Sequence, residues 1–306
     1  MRFKFENIVC FRYNATMEIF SAKDLSKYLK INEKKIYKLV QESRLPHIKI
    51  GGKIAFTKEL IDKWILENTA REENIFIAGS DDIFLRKIID EYNRKNNSTI
   101  YYAPIGSMNG LKVLKKGGAT MSCVHILDIE KKEYNLSYLD RYLSKDGYIV
   151  VHMFYREQGI FLQKNNPKGI NSIQDIATKG AIFINRNQGS GTRLLFDFLL
   201  MEKGIEPSAI KGYNNEVGSH LEAGLNVIKG NADVSFGVIH LAHMLDLSFI
   251  PIFKERFDLV IPEEHFQSTH VKKFLTFFEQ PALMTHIKDF TGYDASGIGN
   301  ILHPKA

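Results

Sequence analysis

The sequence predicts an α/β protein with two modules, a small basic head at the N-terminus and a larger body in which strands alternate with helices. The length of 306 residues is enough for two domains. The net charge of +6 lies entirely in residues 1–70, which hold 14 Lys and Arg against 8 Asp and Glu. From about residue 75 onward, short apolar runs alternate with amphipathic runs, a pattern typical of open parallel α/β sheets.

The composition excludes several classes of protein. The two cysteines, Cys10 and Cys123, lie far apart and form neither a disulfide framework nor a Cys-rich metal site, as expected in a reducing cytosol. No apolar run approaches the ~18 residues of a transmembrane helix, and the N-terminus lacks the features of a signal peptide. We therefore expect a cytoplasmic protein without a membrane segment, in which Met17 could be the true start and residues 1–16 an extension.

The head, residues 17–70, has the pattern of two short helices, a hairpin and a third helix. Ser21 is a plausible N-cap of the first helix, and Asn32 can cap the second. Gly51 and Gly52 separate the β-type runs "HIKI" and "KIAF" and permit the positive φ angles of a two-residue hairpin. Two short helices with a tight turn predict a helix-turn-helix, whose second helix can enter a major groove.

The segment "SAKDLSKYLKINEKKIYKLVQESRLPHIKIGGKIAFTKELIDKWI" resembles the excisionase-type, MerR-like winged helix-turn-helix family, with Leu-Pro, Gly-Gly and the closing Trp in place. The resemblance implies that helix two and the Gly-Gly wing bind double-stranded DNA. Helix two and the wing together supply the candidate DNA contacts Asn32, Lys34, Lys35, Tyr37, Lys38, Lys49 and Lys53. Lysines there would face phosphates, and a protein-interaction module on the same fold is the alternative.

Four loops of small residues precede predicted helices in the body. They contain Gly79-Ser80, Gly106-Ser107, the run "NRNQGSGTR" over 185–193, and Gly218-Ser219-His220. Helix N-termini carry unpaired N–H groups and a partial positive charge, and Ser and Thr add hydroxyl donors. In open α/β sheets such loops meet beyond the carboxyl ends of the strands, so their convergence would create an anion site.

The body resembles the periplasmic-binding-protein-like effector domains of bacterial regulators and the tungstate- and molybdate-binding proteins of transport systems. The resemblance is carried by "AGSDD", "YREQGIFLQ", "NNEVGSHLEAGLNVIKGNADVSFGV" and, most specifically, "NRNQGSGTR". It implies a bilobal type 2 periplasmic-binding-protein-like fold over residues 75–306, with crossover strands near 148–156 and 253–260. The implied boundaries are about 75–152 with 257–306 for lobe I and about 153–256 for lobe II.

The same resemblance implies that the ligand lies in the cleft between the lobes. The implied ligand contacts are Ser80, Ser107, Arg186, Ser190, Thr192 and Ser219, with His125 and His220 as weaker candidates. A small oxyanion such as molybdate or tungstate is the implied ligand. Asp81 and Asp82 depart from the Thr/Ser-rich first loop of the tungstate binders. Arg193 either faces the cleft or pairs with Asp197 four residues later.

The spacing of the candidate residues does not match known motifs for catalysis or metal binding. Gln188 stands two residues before Ser190, where a nucleophile elbow requires Gly, and no Lys follows the glycines as a P-loop requires. His240 and His243 are three residues apart but have no third ligand nearby, so we expect neither a metal site nor a cofactor.

The sequence thus predicts a ligand-responsive transcriptional regulator that is not an enzyme and acts as a homo-oligomer, a dimer on paired half-sites. An enzyme or cofactor-assembly protein on the same bilobal fold is one alternative. It would need a general base, for which His125 and His220 are the candidates, neither with a partner visible in the sequence. A phage-type architectural protein, with the body serving only for assembly, is the other.

Overall fold

The computed structural model describes residues 18–68, 74–96, 99–131, 133–143, 147–278, 280, 283 and 286–303. The interpretation of residues 1–16, Met17 and Cys10 lies outside these ranges. The chain divides into two units, with the boundary after residue 72, and each unit has its own hydrophobic core.

The first unit contains the predicted helices and hairpin. Its elements are β1 (Ile19–Ser21), α1 (Ala22–Leu29), α2 (Glu33–Gln41), β2 (Ile48–Ile50), β3 (Lys53–Thr57) and α3 (Lys58–Asn68). Ser21 caps α1 in a capping box with Asp24, and Asn32 caps α2 by accepting from the N–H of Lys35 at 2.8 Å. Gly51 and Gly52 have φ of +54° and +80°, the conformation that a two-residue hairpin turn requires. Strand β1, which the sequence did not predict, completes a sheet of order β1-β3-β2.

The second unit alternates strands and helices as predicted. Its elements are β4 (Ile75–Gly79), α4 (Ile83–Lys95), β5 (Ile100–Pro104), α5 (Ser107–Lys115), β6 (Met121–Val124), β7 (Leu127–Asp128), β8 (Glu133–Tyr134), α6 (Leu136–Tyr142), β9 (Tyr148–Leu162), α7 (Ile173–Thr178), β10 (Phe183–Arg186), α8 (Gly191–Glu202), β11 (Glu216–Val217), α9 (His220–Ile228), β12 (Val234–Val238), α10 (Ile239–Met244), β13 (Ser248–Pro262), α11 (Glu263–Phe266), α12 (Thr269–Phe277), β14 (Tyr293–Asp294) and β15 (Ile301–His303).

Most of these strands form one sheet, whose main path is β11-β10-β12-β9-β13-β6-β4-β5. The outer pairs β4–β5, β4–β6, β10–β12 and β10–β11 are parallel, as predicted, whereas β9 and β13 run antiparallel to each other. These two strands have 15 residues each and pair from Tyr148 with Pro262 to Leu162 with Ser248. They pass through both lobes and include the predicted crossover segments.

Each lobe has a separate apolar core against its half of the sheet. In lobe I, Ile77 of β4 and Ile88 of α4 pack with Phe274 of α12. In lobe II, Phe183 of β10 and Phe196 of α8 pack with their rings stacked 4.4 Å apart. Because a helix begins where the preceding parallel strand ends, this packing directs the N-termini of α4, α5, α8 and α9 toward the boundary between the lobes.

Candidate ligand-binding site and DNA-binding surface

The four small-residue loops of the body meet at the boundary between the lobes. The hydroxyl oxygens of Ser80 and Ser107 lie 2.5 Å apart, and both side chains are buried. The backbone N–H of Met108 in α5 donates to the carbonyl of Gly189, the residue before the cap of α8, at 3.1 Å. The backbone N–H of His220 donates to the carboxylate of Asp81 at 3.1 Å. Two hydrogen bonds therefore join the loops of one lobe to those of the other.

The remaining predicted hydroxyls lie at helix N-termini. Ser190 caps α8 and Ser219 caps α9, each accepting an N–H bond at 3.1 Å. Thr192, in the first turn of α8, accepts from the side-chain amide of Gln158 at 3.1 Å. Ser107 is the first residue of α5 rather than its cap, because Gly106 takes the cap position with φ +88°. A hydroxyl that accepts a cap bond keeps its own proton for a ligand.

Arg186 places a positive charge in the cleft. It ends β10, is 3% exposed, and donates from Nη2 to the carbonyl of Gly218 at 2.9 Å. Its Nε is buried and has no hydrogen-bond partner among the described residues. Burial lowers the pKa of Arg186 to about 10, and the nearby Asp81 opposes this shift. The guanidinium is therefore still charged at neutral pH, with one buried donor free for an anion.

Arg193 takes the second of its two predicted positions. Its Nε donates to Asp197 at 3.0 Å, and its Nη1 donates to Glu216 at 2.9 Å. Both bonds commit its charge to carboxylates of lobe II, so Arg193 does not supply charge to the cleft.

Sequence reasoning missed a buried ionic network in the crossover strands. Arg156 of β9 donates to Asp82 at 2.5 Å and also to Glu255 of β13. The other oxygen of Glu255 accepts from Gln158 and pairs with His125 Nδ1, both at 2.6 Å. Burial alone would raise the pKa of Glu255, but Arg156 and His125 outweigh it and lower the pKa to about 2. The network fixes both crossover strands to the loop before α4.

One sequence signal for this network exists. The runs "YREQG" and "KERFD" place charges inside long strands that are otherwise apolar. Arg156 and Gln158 are two residues apart and so share one face of the strand. The pattern marks the residues, but it does not show that they pair with Asp82.

The two histidines of the cleft differ in their partners. His125 is bonded to the buried carboxylate of Glu255, a partner that the sequence did not reveal. His220 is buried, and its Nδ1 has no hydrogen-bond partner in the described part of the chain. Burial, together with Arg186 and Arg156, places the pKa of His220 well below its usual range. His220 is therefore neutral in the folded protein at neutral pH.

Acid is expected to destabilise the second unit from about pH 6.5 downward. The unfolded chain protonates His220 near its usual pKa of ~6.5, whereas the folded chain keeps it neutral. The free energy of unfolding should fall by ~1.4 kcal/mol per pH unit for this group. Urea unfolding of wild type and His220→Asn at several pH values between about 7.5 and 5 checks this. An identical slope for both proteins would contradict the assignment.

The candidate DNA contacts lie on one helix and one hairpin of the first unit. Helix α2 buries Ile36, Leu39 and Val40. The predicted Lys34, Lys35, Tyr37 and Lys38 are exposed on this helix, and Asn32 is exposed at its N-cap. Lys49 and Lys53 are exposed beside the β2–β3 turn. The amide oxygen of Asn32 is used to cap α2, and Lys38 lies 3.8 Å from Glu42 in a surface ion pair.

A metal-binding cluster and a membrane-spanning helix are both absent from the described residues. They contain no group of three or more His, Cys, Asp and Glu side chains arranged to hold a metal ion. None of their helices combines the length and apolar character that crossing a membrane demands. His240 stacks on Phe290 at 4.3 Å and accepts from the N–H of Thr291, so it serves packing.

Two family models match this chain, one in each unit. Residues 89–279 match the model of the PBP superfamily domain, and residues 19–69 match that of a helix-turn-helix domain. The uncharacterised protein YvgK of Bacillus subtilis (strain 168) is 26% identical over 92% of this chain and 97% of its own length.

Solved structures show the same fold for the body. The tungstate ABC transporter structure from Geobacter sulfurreducens has a TM-score of 0.54 at 18% identity, over 72% of this chain and 99% of the other. The regulatory domain of CcmR from Synechocystis PCC6803, solved in complex with 2-PG, has a TM-score of 0.51 at 15% identity, over 71% and 97%. Since the superfamily model spans more than half of its length, this chain belongs to the PBP superfamily and carries a helix-turn-helix domain ahead of the superfamily domain.

Proposed function

We propose that this chain is a cytoplasmic, ligand-responsive transcriptional regulator that binds DNA through residues 17–70 and a small anion in the cleft of residues 75–306. The observation that carries the proposal is Arg186, a buried guanidinium with an unpartnered N–H where the loops before α8 and α9 meet. A buried donor without a partner costs about 1–3 kcal/mol. An anion at this position would remove that cost and would also meet the helix N-termini.

Four tetrahedral oxyanions are the first candidates for the ligand: molybdate, tungstate, sulfate and phosphate. Ser80, Ser107, Ser190 and Thr192 would supply hydroxyls, and Arg186 the charge. One structural relative is a tungstate transporter and another was solved with 2-PG, so acidic ligands recur on this fold. Calorimetry of the full-length protein with the four anions tests the proposal.

Binding of the anion would act through the contacts between the lobes. The bonds from Met108 to Gly189 and from His220 to Asp81 exist only while the loops are together. A ligand held by both sets of loops favours this arrangement by its differential affinity for it. The proposed regulation is a shift of this equilibrium.

Catalysis is the alternative that one observation favours. The pair His125–Glu255 has the form of a general base with its orienting carboxylate. However, burial lowers the pKa of His125, and the described hydrogen bonds of its ring go to Glu255 alone. Because no described hydroxyl is bonded to that ring, we favour binding over reaction. Turnover of any bound anion by wild type but not by His125→Asn would establish the alternative.

The DNA-binding surface is tested by replacing Lys34 and Lys35 with Ala together. Both side chains are exposed on α2. For each DNA phosphate that these lysines no longer neutralise, the salt dependence of binding should fall by roughly one unit. A double change at Lys112 and Lys116, both exposed in the second unit, is the control for net charge. Equally weakened binding in both double variants would refute a specific role for α2.

We also propose that the protein binds DNA as a dimer. Footprinting should then show two related half-sites.

A further inference from the structure

A cavity of about 280 Å³ opens between the N-termini of α4 and α9, on the two sides of the cleft. Its aliphatic wall consists of Ile83, Leu221, Val238 and Leu241, and its polar edge consists of Asp81, Asp82, Arg86, Ser219 and His220. The volume is close to the lower end of small-molecule sites, roughly 300–1,000 Å³. A tetrahedral oxyanion is much smaller and has no apolar surface to place against this wall.

The cavity adjoins the proposed anion site. Arg186 donates to the carbonyl of Gly218, and the next residue, Ser219, lines the cavity. On the opposite side, Asp81 lines the cavity and accepts the backbone bond from His220. A molecule held at Arg186 can therefore extend past Ser219 into the cavity, where Asp82, the partner of Arg156, forms part of the lining.

The partners of the buried arginines indicate where an acidic group of the ligand would bind. Among the described residues, the second unit buries three arginines, Arg156, Arg186 and Arg193. Arg156 and Arg193 each contact two carboxylates, whereas Arg186 has none within ion-pair distance. Arg186 is therefore the buried arginine without a carboxylate partner, and it offers its charge and its unpartnered Nε–H to one acidic group of a ligand.

We propose that the ligand is an organic anion with a single acidic group at Arg186 and an apolar part in the cavity between α4 and α9. This inference rests on the proposed function, because it takes Arg186 as the anion-binding group. It adds the chemical class of the ligand and assigns Ile83, Leu221, Val238 and Leu241 to its recognition.

Straight-chain carboxylates from acetate to octanoate test the proposal on the full-length protein, with molybdate and phosphate measured beside them. Affinity measured by calorimetry should rise about fourfold with each methylene that enters the cavity and then level off, since burying one methylene contributes ~0.8 kcal/mol. Molybdate and phosphate should both bind more weakly than the best carboxylate, because neither has an apolar part to place against the aliphatic wall. Equal affinity along the series would overturn the inference.

Two variants of α9 test whether the dependence of affinity on chain length arises in this cavity. Leu221→Trp fills the cavity, whereas Leu225→Trp adds the same ring one turn further along α9, outside the residues that line it. Both leucines are exposed, at 49% and 36%, so neither change disturbs the core. The chain-length dependence should disappear in Leu221→Trp and persist in Leu225→Trp. Its persistence in both variants would place the apolar part elsewhere and overturn the assignment.

The proposed function and this inference fail in different ways. If molybdate or phosphate binds more tightly than every carboxylate, the cavity does not select the ligand, and the proposed function stands without the inference. If no anion of either kind binds at millimolar concentration, both are overturned.

Discussion

Replacement of Arg156 with Met is expected to lower the free energy of unfolding of the second unit by about 3–5 kcal/mol. The change leaves the carboxylates of Asp82 and Glu255 without their cation, and both side chains are fully buried in the folded protein. Because methionine fills most of the volume of the arginine side chain, the loss of stability comes from the missing charge and not from a cavity. Urea unfolding followed by circular dichroism measures it.

Arg193→Met is the matched control for this prediction. Arg193 also contacts two carboxylates, but Asp197 and Glu216 are 38% and 33% exposed and can be hydrated after the change. Exposed ion pairs contribute about 0–1 kcal/mol, so a smaller loss is expected. Equal losses for the two variants would show that the buried network has no special role in stability. A recovery of Arg156→Met at low pH, where the carboxylates are protonated, would identify them as the cause.

Arg186→Met is expected to change binding and stability in opposite directions. Loss of a charge-assisted hydrogen bond should lower the affinity for an anion by on the order of 2 kcal/mol, roughly thirtyfold. The free protein should unfold no more easily than wild type, because Arg186 is a buried charge without a carboxylate partner and its removal relieves desolvation. Calorimetry and urea unfolding of the same preparation measure the two effects.

Arg193→Met also serves as the control here, since its charge is committed to Asp197 and Glu216 and it should retain wild-type affinity. Anion affinity that is unchanged in Arg186→Met would remove Arg186 from the site. A large loss of stability in Arg186→Met would mean that this arginine supports the fold instead of the ligand.

Features that depend on residues close together in the sequence could be predicted, whereas contacts between residues far apart in the sequence could not. The caps at Ser21 and Asn32 and the turn at Gly51 and Gly52 depend on neighbours within three residues. The loops before α5, α8 and α9 were recognised for the same reason, because a helix N-terminus is a local pattern of small polar residues. Their position beyond the carboxyl ends of the strands followed from the rule for open α/β sheets, and the cleft between two lobes followed from the resemblance to a known fold.

The buried network has no local signature. Arg156 meets Asp82 across 74 residues and Glu255 across 99, so no spacing rule connects them. The two ion pairs of Arg193 show the same difference between near and distant partners. Asp197 lies one helical turn away and was visible in the sequence, whereas Glu216, 23 residues away, was not.

The long pairing of β9 with β13 fixes the order in which the body can assemble during synthesis. Tyr148 can pair with Pro262 only after residue 262 has been synthesised, because the first half of β9 pairs with the last half of β13. Every residue of lobe II is therefore translated before lobe I receives the strand that completes it. At roughly 5–20 residues per second, lobe I remains open at this edge for several seconds or longer on the ribosome. The head, by contrast, has all of its strand partners within the first 57 residues and can fold as soon as it emerges.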